Sequence, residues 1–305
     1  MSLPGPRFRV RAADPVGDHA ALRHVRETVF VQEQGVPRAI EADALDPECF
    51  HVLAEDAQGR PIGTGRVSPE RRIGRMAVLP AWRGHGVGTA MLLALVRHAC
   101  DAGWPDVSLH SQAGAIGFYR RLGFVATGPR FMEAGIEHQS MRLRLDRPMP
   151  VEDRRAAVMV TACLVAGART TVYVRSRELD PGLFDAPEVL DALRTFATRG
   201  GRDRQVLVLL HDAGAVQRAH APLLDLAQRL PSMFAFRELD DPADRNDPSA
   251  MVATDGGGYY HRPLGHRFDG EWMPSGRARA RQWIEAFKPV WERSRPCTGL
   301  RALGL

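Results

Sequence analysis

The chain has 305 residues, of which 44% are apolar and 25% charged, with a net charge of +5. These are ordinary values for a soluble globular protein, and the length suggests two domains. The positive side chains are almost all arginine, spread along the chain and interleaved with acids, which argues against a nucleic-acid partner; no apolar run is long enough for a membrane span.

Arg7–Ala13 reads as a first strand. Residues 18–37 read as a helix, with Ala21, Leu22, Val25, Val29 and Phe30 on one face and Gly35 and Pro37 ending it. An acidic loop follows, carrying Glu41, Asp43, Asp46 and Glu48; it is expected to be mainly solvated, with some attraction for a cationic amine. Two strands, 50–56 and 61–68, are joined by a turn containing Gly59, and 71–79 is a further strand. A glycine-rich loop then leads into a helix ending near Cys100. A strand (106–111), a short helix (114–124) stopped by Gly123 and a period-two strand (137–145) complete the first half. Residues 146–153, with two prolines among charges, read as a linker, so the domains are set at 1–148 and 149–305.

The second half repeats the alternation of helix and strand. Helices are expected at 153–166, 187–200, 216–230 and 278–294, strands at 170–176, 204–212 and 233–239, and a hairpin at 250–263 around three glycines. The four cysteines, Cys49, Cys100, Cys163 and Cys297, form no CxxC pair, so reduced thiols are expected and no metal site. The N-terminal residues have no apolar signal-peptide core, which makes a cytoplasmic location the expectation.

The chemistry concentrates in Arg83-Gly84-His85-Gly86-Val87-Gly88. Gly88 is followed by Thr89 and Ala90, so the Gly-Lys-Ser/Thr ending of a nucleotide P-loop is missing. The GxGxG spacing is also not the GxGxxG of a dinucleotide fold. What fits is R-x-x-G-x-G between a strand and an amphipathic helix. The first N–H groups of a helix have no intrahelical acceptor, and the helix dipole favours an anion there. Glycines let the backbone approach a pyrophosphate, and Arg83 can add a charge-assisted bond.

With this motif the chain resembles the GCN5-related N-acetyltransferase (GNAT) superfamily over residues 8–146. A second motif supports the resemblance. In Gln112–Phe124, Ala115, Tyr119, Gly123 and Phe124 match N-x-x-A-x-x-x-Y-x-x-x-G-F, with Gln112 in place of the asparagine. Val29–Pro37, Leu109–Gln112 and Phe131–Met141 resemble a bacterial subgroup, the ElaA/YjcF-like acetyltransferases. The resemblance implies an α/β (α+β) fold: a central mixed, mostly antiparallel sheet flanked by helices, followed here by a second, smaller α/β domain. It implies acetyl-CoA as donor, CoA as product and a small-molecule or peptide amine as acceptor, and it leaves a homodimer open. By motif position Met76, Ala77 and Val78 would lie along the pantetheine arm. Arg83 to Gly88, with Thr89 and Gln112, would complete the cofactor site, and Tyr119 would stand near the thioester sulfur as proton donor. Glu33 is the first candidate for the base, with Glu133 and His110 as alternatives. His85 is expected to contribute its backbone N–H.

Residues 149–305 are loosely similar to one half of a phospholipase D-like fold but lack its H-x-K-x4-D, since Lys288 is the sole lysine and does not sit in the pattern. His220, on a helix, is expected to be structural, and neither His261 nor His266 has a partner at a catalytic spacing. A non-catalytic accessory domain is expected, binding the acceptor, a regulator or another subunit; a polyanion ligand rests on fold analogy alone. The alternative to an enzyme is a sensor that binds acetyl-CoA without turnover and acts through the second domain.

Overall fold

The computed structural model describes residues 8–38, 44–198, 204–219 and 221–300. The chain divides into two units, Met1–Arg147 and Pro148–Leu305, so the second is slightly longer than the first rather than smaller.

In the first unit β1 (Phe8–Ala13) is followed by α1 (His19–Arg26), which continues as a π-helical segment, Glu27–Glu33. The expected helix is therefore present but changes its winding halfway. Leu22, Val25 and Val29 are buried, with Leu22 against Ala13 and Leu53, and Val25 and Val29 against Ala77. Strands β2 (Phe50–Asp56), β3 (Pro61–Val67) and β4 (Arg72–Val78) come next. Then follow α2 (Val87–Asp101), β5 (Asp106–Gln112), α3 (Ile116–Arg120), β6 (Val125–Glu133) and β7 (Ile136–Arg144). They form one seven-stranded sheet in the order β1-β2-β3-β4-β5-β7-β6. Only β4 and β5 pair in parallel; every other pair is antiparallel. α2 lies on this sheet and buries Met91, Leu92, Leu95, Val96 and Ala99.

The second unit begins with β8 (Met149–Val151), α4 (Arg154–Gly167) and β9 (Thr171–Ser176). It continues with α5 (Pro187–Thr198), β10 (Gln205–Leu210), α6 (Ala213–Arg218), α7 (Pro222–Arg229) and β11 (Phe234–Glu238). α8 (Pro242–Arg245), β12 (Ala250–Thr254), β13 (Tyr259–Arg262), β14 (Gly270–Met273), α9 (Arg277–Arg293) and β15 (Arg295–Pro296) finish it. Its eight-stranded sheet runs β15-β11-β10-β9-β12-β13-β14-β8, with β9, β10 and β11 parallel. The single helix expected at 216–230 is two helices, because Pro222 disfavours helical geometry at the residue before it. His220 lies outside the described residues, as do Glu41 and Asp43. Among the described residues no helix is long and apolar enough to cross a membrane, and all four cysteines are free thiols.

Candidate active site

β4 is irregular where the site forms. Ala77 faces Thr64 and Gly74 faces Arg66, so β4 carries one residue more than β3 between these pairs. The extra residue makes a bulge in which Arg75 adopts a φ of 53°. β4 and β5 pair only at Arg72–Ser108 and Ile73–Leu109. Beyond Ile73 the two strands part, and the backbone of Gly74–Val78 has β3 on one side and no strand partner in β5 on the other. A cavity of about 660 Å³ opens in the gap. Met76, His110, Gln112, Tyr119, Glu133 and His138 are among its lining residues, and its size is that of a small-molecule site.

The glycine loop sits between β4 and α2. Gly84 and Gly86 have φ of 82° and 86°, values that L side chains rarely adopt. Gly86 is the N-cap of α2 and offers no side chain to cap its first turn. The N–H groups of Val87, Gly88 and Thr89 thus lack intrahelical acceptors. Gly88 differs, since a Cβ there would stand 3.6 Å from Phe118 and 3.8 Å from Val78, ordinary contact. Two glycines serve the turn and the third is where the helix meets Phe118. Val87 is 1% exposed, so it presents only backbone to the loop. His85 is exposed and Thr89 half-buried. The loop therefore fits a pyrophosphate: N–H groups without intrahelical acceptors at a helix start, and open space where a Cβ would stand at Gly84.

The remaining residues divide by position. Ala77 is buried against Val25 and Val29 and has only backbone to offer the gap. Gly65 makes room for the Met76 sulfur, which lies where a Cβ would stand. Tyr119 is 9% exposed, with its ring edge-on to Phe118 and Phe124 at 4.9 and 5.8 Å. Burial pushes its phenol up to about 12, so it carries its proton at neutral pH. Gln112 donates to the Gln34 side chain at 2.9 Å, tying the end of β5 to the residue after the π-helical segment.

Glu33 and Arg83 meet each other. The guanidinium donates to both carboxylate oxygens, at 2.8 and 2.6 Å, and its Nε donates to the Val78 carbonyl at 3.1 Å. These bonds hold the Glu33 carboxyl below its ordinary range. Glu33 is not among the residues lining the cavity, whereas His110 and Glu133 are, joined at 3.0 Å through His110 Nδ1. Asp46 of the acidic loop is held by Arg26 at 2.6 Å and by Arg66, both nearly buried, and so acts as a structural anchor. Sequence reasoning missed His138, although the period-two pattern of β7 put it on the same face as Ser140. It also missed the Gln34–Gln112 bond, which has no local signal.

An acetyltransferase (GNAT) domain model matches residues 14–145, and a domain of unknown function (DUF7931) matches residues 153–303. The protein YyaT of Bacillus subtilis is 34% identical over 135 residues, 42% of this chain and 90% of that one. YjcF of the same organism, described as an uncharacterized N-acetyltransferase, is 38% identical over 122 residues, 39% of this chain and 86% of that one. Escherichia coli ElaA is a similar solved structure, with 26% identity, a TM-score of 0.40, and coverage of 45% of this chain and 100% of that one. Through its first unit, the chain belongs to the GNAT family of acyl-CoA-dependent acyltransferases.

Proposed function

We propose that the protein is an acetyl-CoA-dependent N-acetyltransferase that moves the acetyl group to a primary amine by direct attack in a ternary complex. The domain carrying this activity is residues 1–148. The observation that supports it best is that Tyr119 lines a cavity that opens where β4 leaves β5. Bound acetyl-CoA supplies an acetyl group activated as a thioester.

The chain's own residues then have separable tasks. The N–H groups of Gly84 to Thr89 hold the pyrophosphate, while Met76, Ala77 and Val78 line the pantetheine path, with Ala77 acting through its backbone. Donors aimed at the developing oxyanion stabilise it as the amine attacks, and the β4 backbone is the candidate. Holding amine and thioester together can supply about 7–11 kcal/mol of the barrier in favourable cases. Tyr119 is the acid. A phenol that keeps its proton so firmly stabilises the departing sulfur by donating a hydrogen bond as well as by transfer.

Residues 149–305 are proposed to be an accessory domain. Two of its acids are engaged in holding the fold. Asp255 accepts from the Arg169 and Thr170 backbone and from the Thr170 hydroxyl. Asp180 is paired with Arg262, both nearly fully buried.

The experiment is release of free CoA thiol from acetyl-CoA with a panel of primary amines. Amine-dependent release is expected. Tyr119→Phe should lower turnover by about 10–100-fold with acetyl-CoA affinity unchanged, read by titration calorimetry. Tight acetyl-CoA binding with no release for any amine would favour the sensor reading instead.

A further inference from the structure

β5, β7 and β6 lie side by side, and the pleat of a strand sends alternate residues to one face. By register His110 and Gln112 of β5 share a face with His138 and Ser140 of β7, and with Phe131 and Glu133 of β6. His110, Gln112, His138 and Glu133 line the cavity that also holds Tyr119. Glu133 Oε2 is 3.0 Å from His110 Nδ1, and Phe131 packs edge-on to the imidazole with ring centroids 4.8 Å apart. A carboxylate that accepts from Nδ1–H selects the tautomer whose Nε2 keeps its lone pair.

We propose that His110 is the general base that deprotonates the acceptor ammonium, with Glu133 as its positioning residue. The proposal rests on the acetyltransfer reading above. Four residues compete for the role; Glu133 is spent on His110 Nδ1, and physical arguments separate the other three. Glu33 is held by the Arg83 fork and lies outside the cavity lining. His138 bonds the Ile136 carbonyl at 2.8 Å through Nδ1, so it too can present Nε2, but a carbonyl offers no countercharge. His110 has a carboxylate to balance the imidazolium that forms on proton uptake.

The protons balance in four moves. One ammonium proton passes to His110 Nε2 and later to water. The freed lone pair forms the C–N bond as the C–S bond breaks. The departing sulfur takes the Tyr119 proton. The surplus proton on the new amide nitrogen restores the phenol.

The test measures N-acetylated product by mass spectrometry, using ethanolamine, histamine and spermidine as acceptors with the full-length protein. His110→Ala should lower kcat by about 100-fold, with KM for acetyl-CoA within about twofold. Added imidazole should restore about a tenth of the wild-type rate or more. Glu133→Gln should lower kcat by about tenfold, and Glu133→Asp should recover part of it. His110→Gln, checked for an unchanged melting temperature, guards against a folding defect. A His110→Ala rate within threefold of wild type overturns the assignment, as does a loss that imidazole does not relieve. Product from wild type with an unaffected His110→Ala variant sinks this assignment alone; no product from wild type with any amine sinks the acetyltransfer reading as well.

Discussion

At the scale of the residue, the Arg83 guanidinium has one fork and two claimants. Glu33 holds it in the free protein with two short bonds, and the proposed pyrophosphate would reach the same side chain. Both partners are well exposed, at 45% and 39%, so the pair contributes at most about 1 kcal/mol. If the cofactor draws the fork away, that energy is subtracted from its binding. Glu33→Gln should then tighten CoA binding by about two- to fivefold, measured by titration calorimetry at constant salt. An unchanged or weaker affinity would mean that Arg83 stays on Glu33 and the loop holds its ligand by backbone N–H groups alone. Each member of this pair could be picked out from its own motif. Their meeting could not, because the two lie 50 positions apart and complementary charge has no periodicity to betray it.

At the scale of the element, the hairpin that carries Glu133 turns on two residues. Ala134 and Gly135 have φ of 49° and 77°, the pattern of a type I′ turn, in which both central residues are left-handed. Glycine suits such a position and alanine is strained by its Cβ. Ala134→Gly should therefore stabilise the chain by about 0.5–1 kcal/mol after the entropy of the unfolded glycine is allowed for. The midpoint of urea unfolding checks it; a fall in the midpoint would mean that the turn relaxes differently. The strand leading into this turn was the one major element of the first unit not legible in the sequence. Val125–Glu133 has Gly128-Pro129 at its centre and is exposed along almost its whole length, so neither alternation nor composition marks it. It is an edge strand, where proline is tolerated. The elements with one buried face, such as α2, β5 and β7, were legible because burial imposes a period. Of the candidate site, the proposed loop and Tyr119 stand out in the sequence as motifs, while the bulge at Arg75 and the parting of β4 from β5 depend on register, which sequence periodicity does not record.

At the scale of the whole molecule, acid sensitivity follows from how the histidines are buried. His211 stands just past β10 with a buried Nε2 that has no partner among the described residues. Burial, reinforced by Arg175 and Arg177, pushes its imidazole down to about 4. Burial also lowers His51, His98 and His261. An unfolded histidine takes up its proton near pH 6.5. Between that value and the lowered folded one, the unfolded chain binds more protons than the folded one, so stability falls as the pH falls through this window. A second loss follows at lower pH, where Glu55 and Asp18, held below their ordinary range chiefly by bonds from Arg11, are forced to protonate. The arginine-rich composition thus defers acid unfolding of the carboxylates but deepens that of His211. The full-length protein should show a melting temperature that drops steadily from pH 7 to pH 4.5, and His211→Asn should flatten that slope relative to wild type whatever it does to stability at pH 7. Parallel slopes for the two proteins would mean that His211 finds a proton acceptor on folding, and that the acid response belongs to the other buried histidines and the carboxylates.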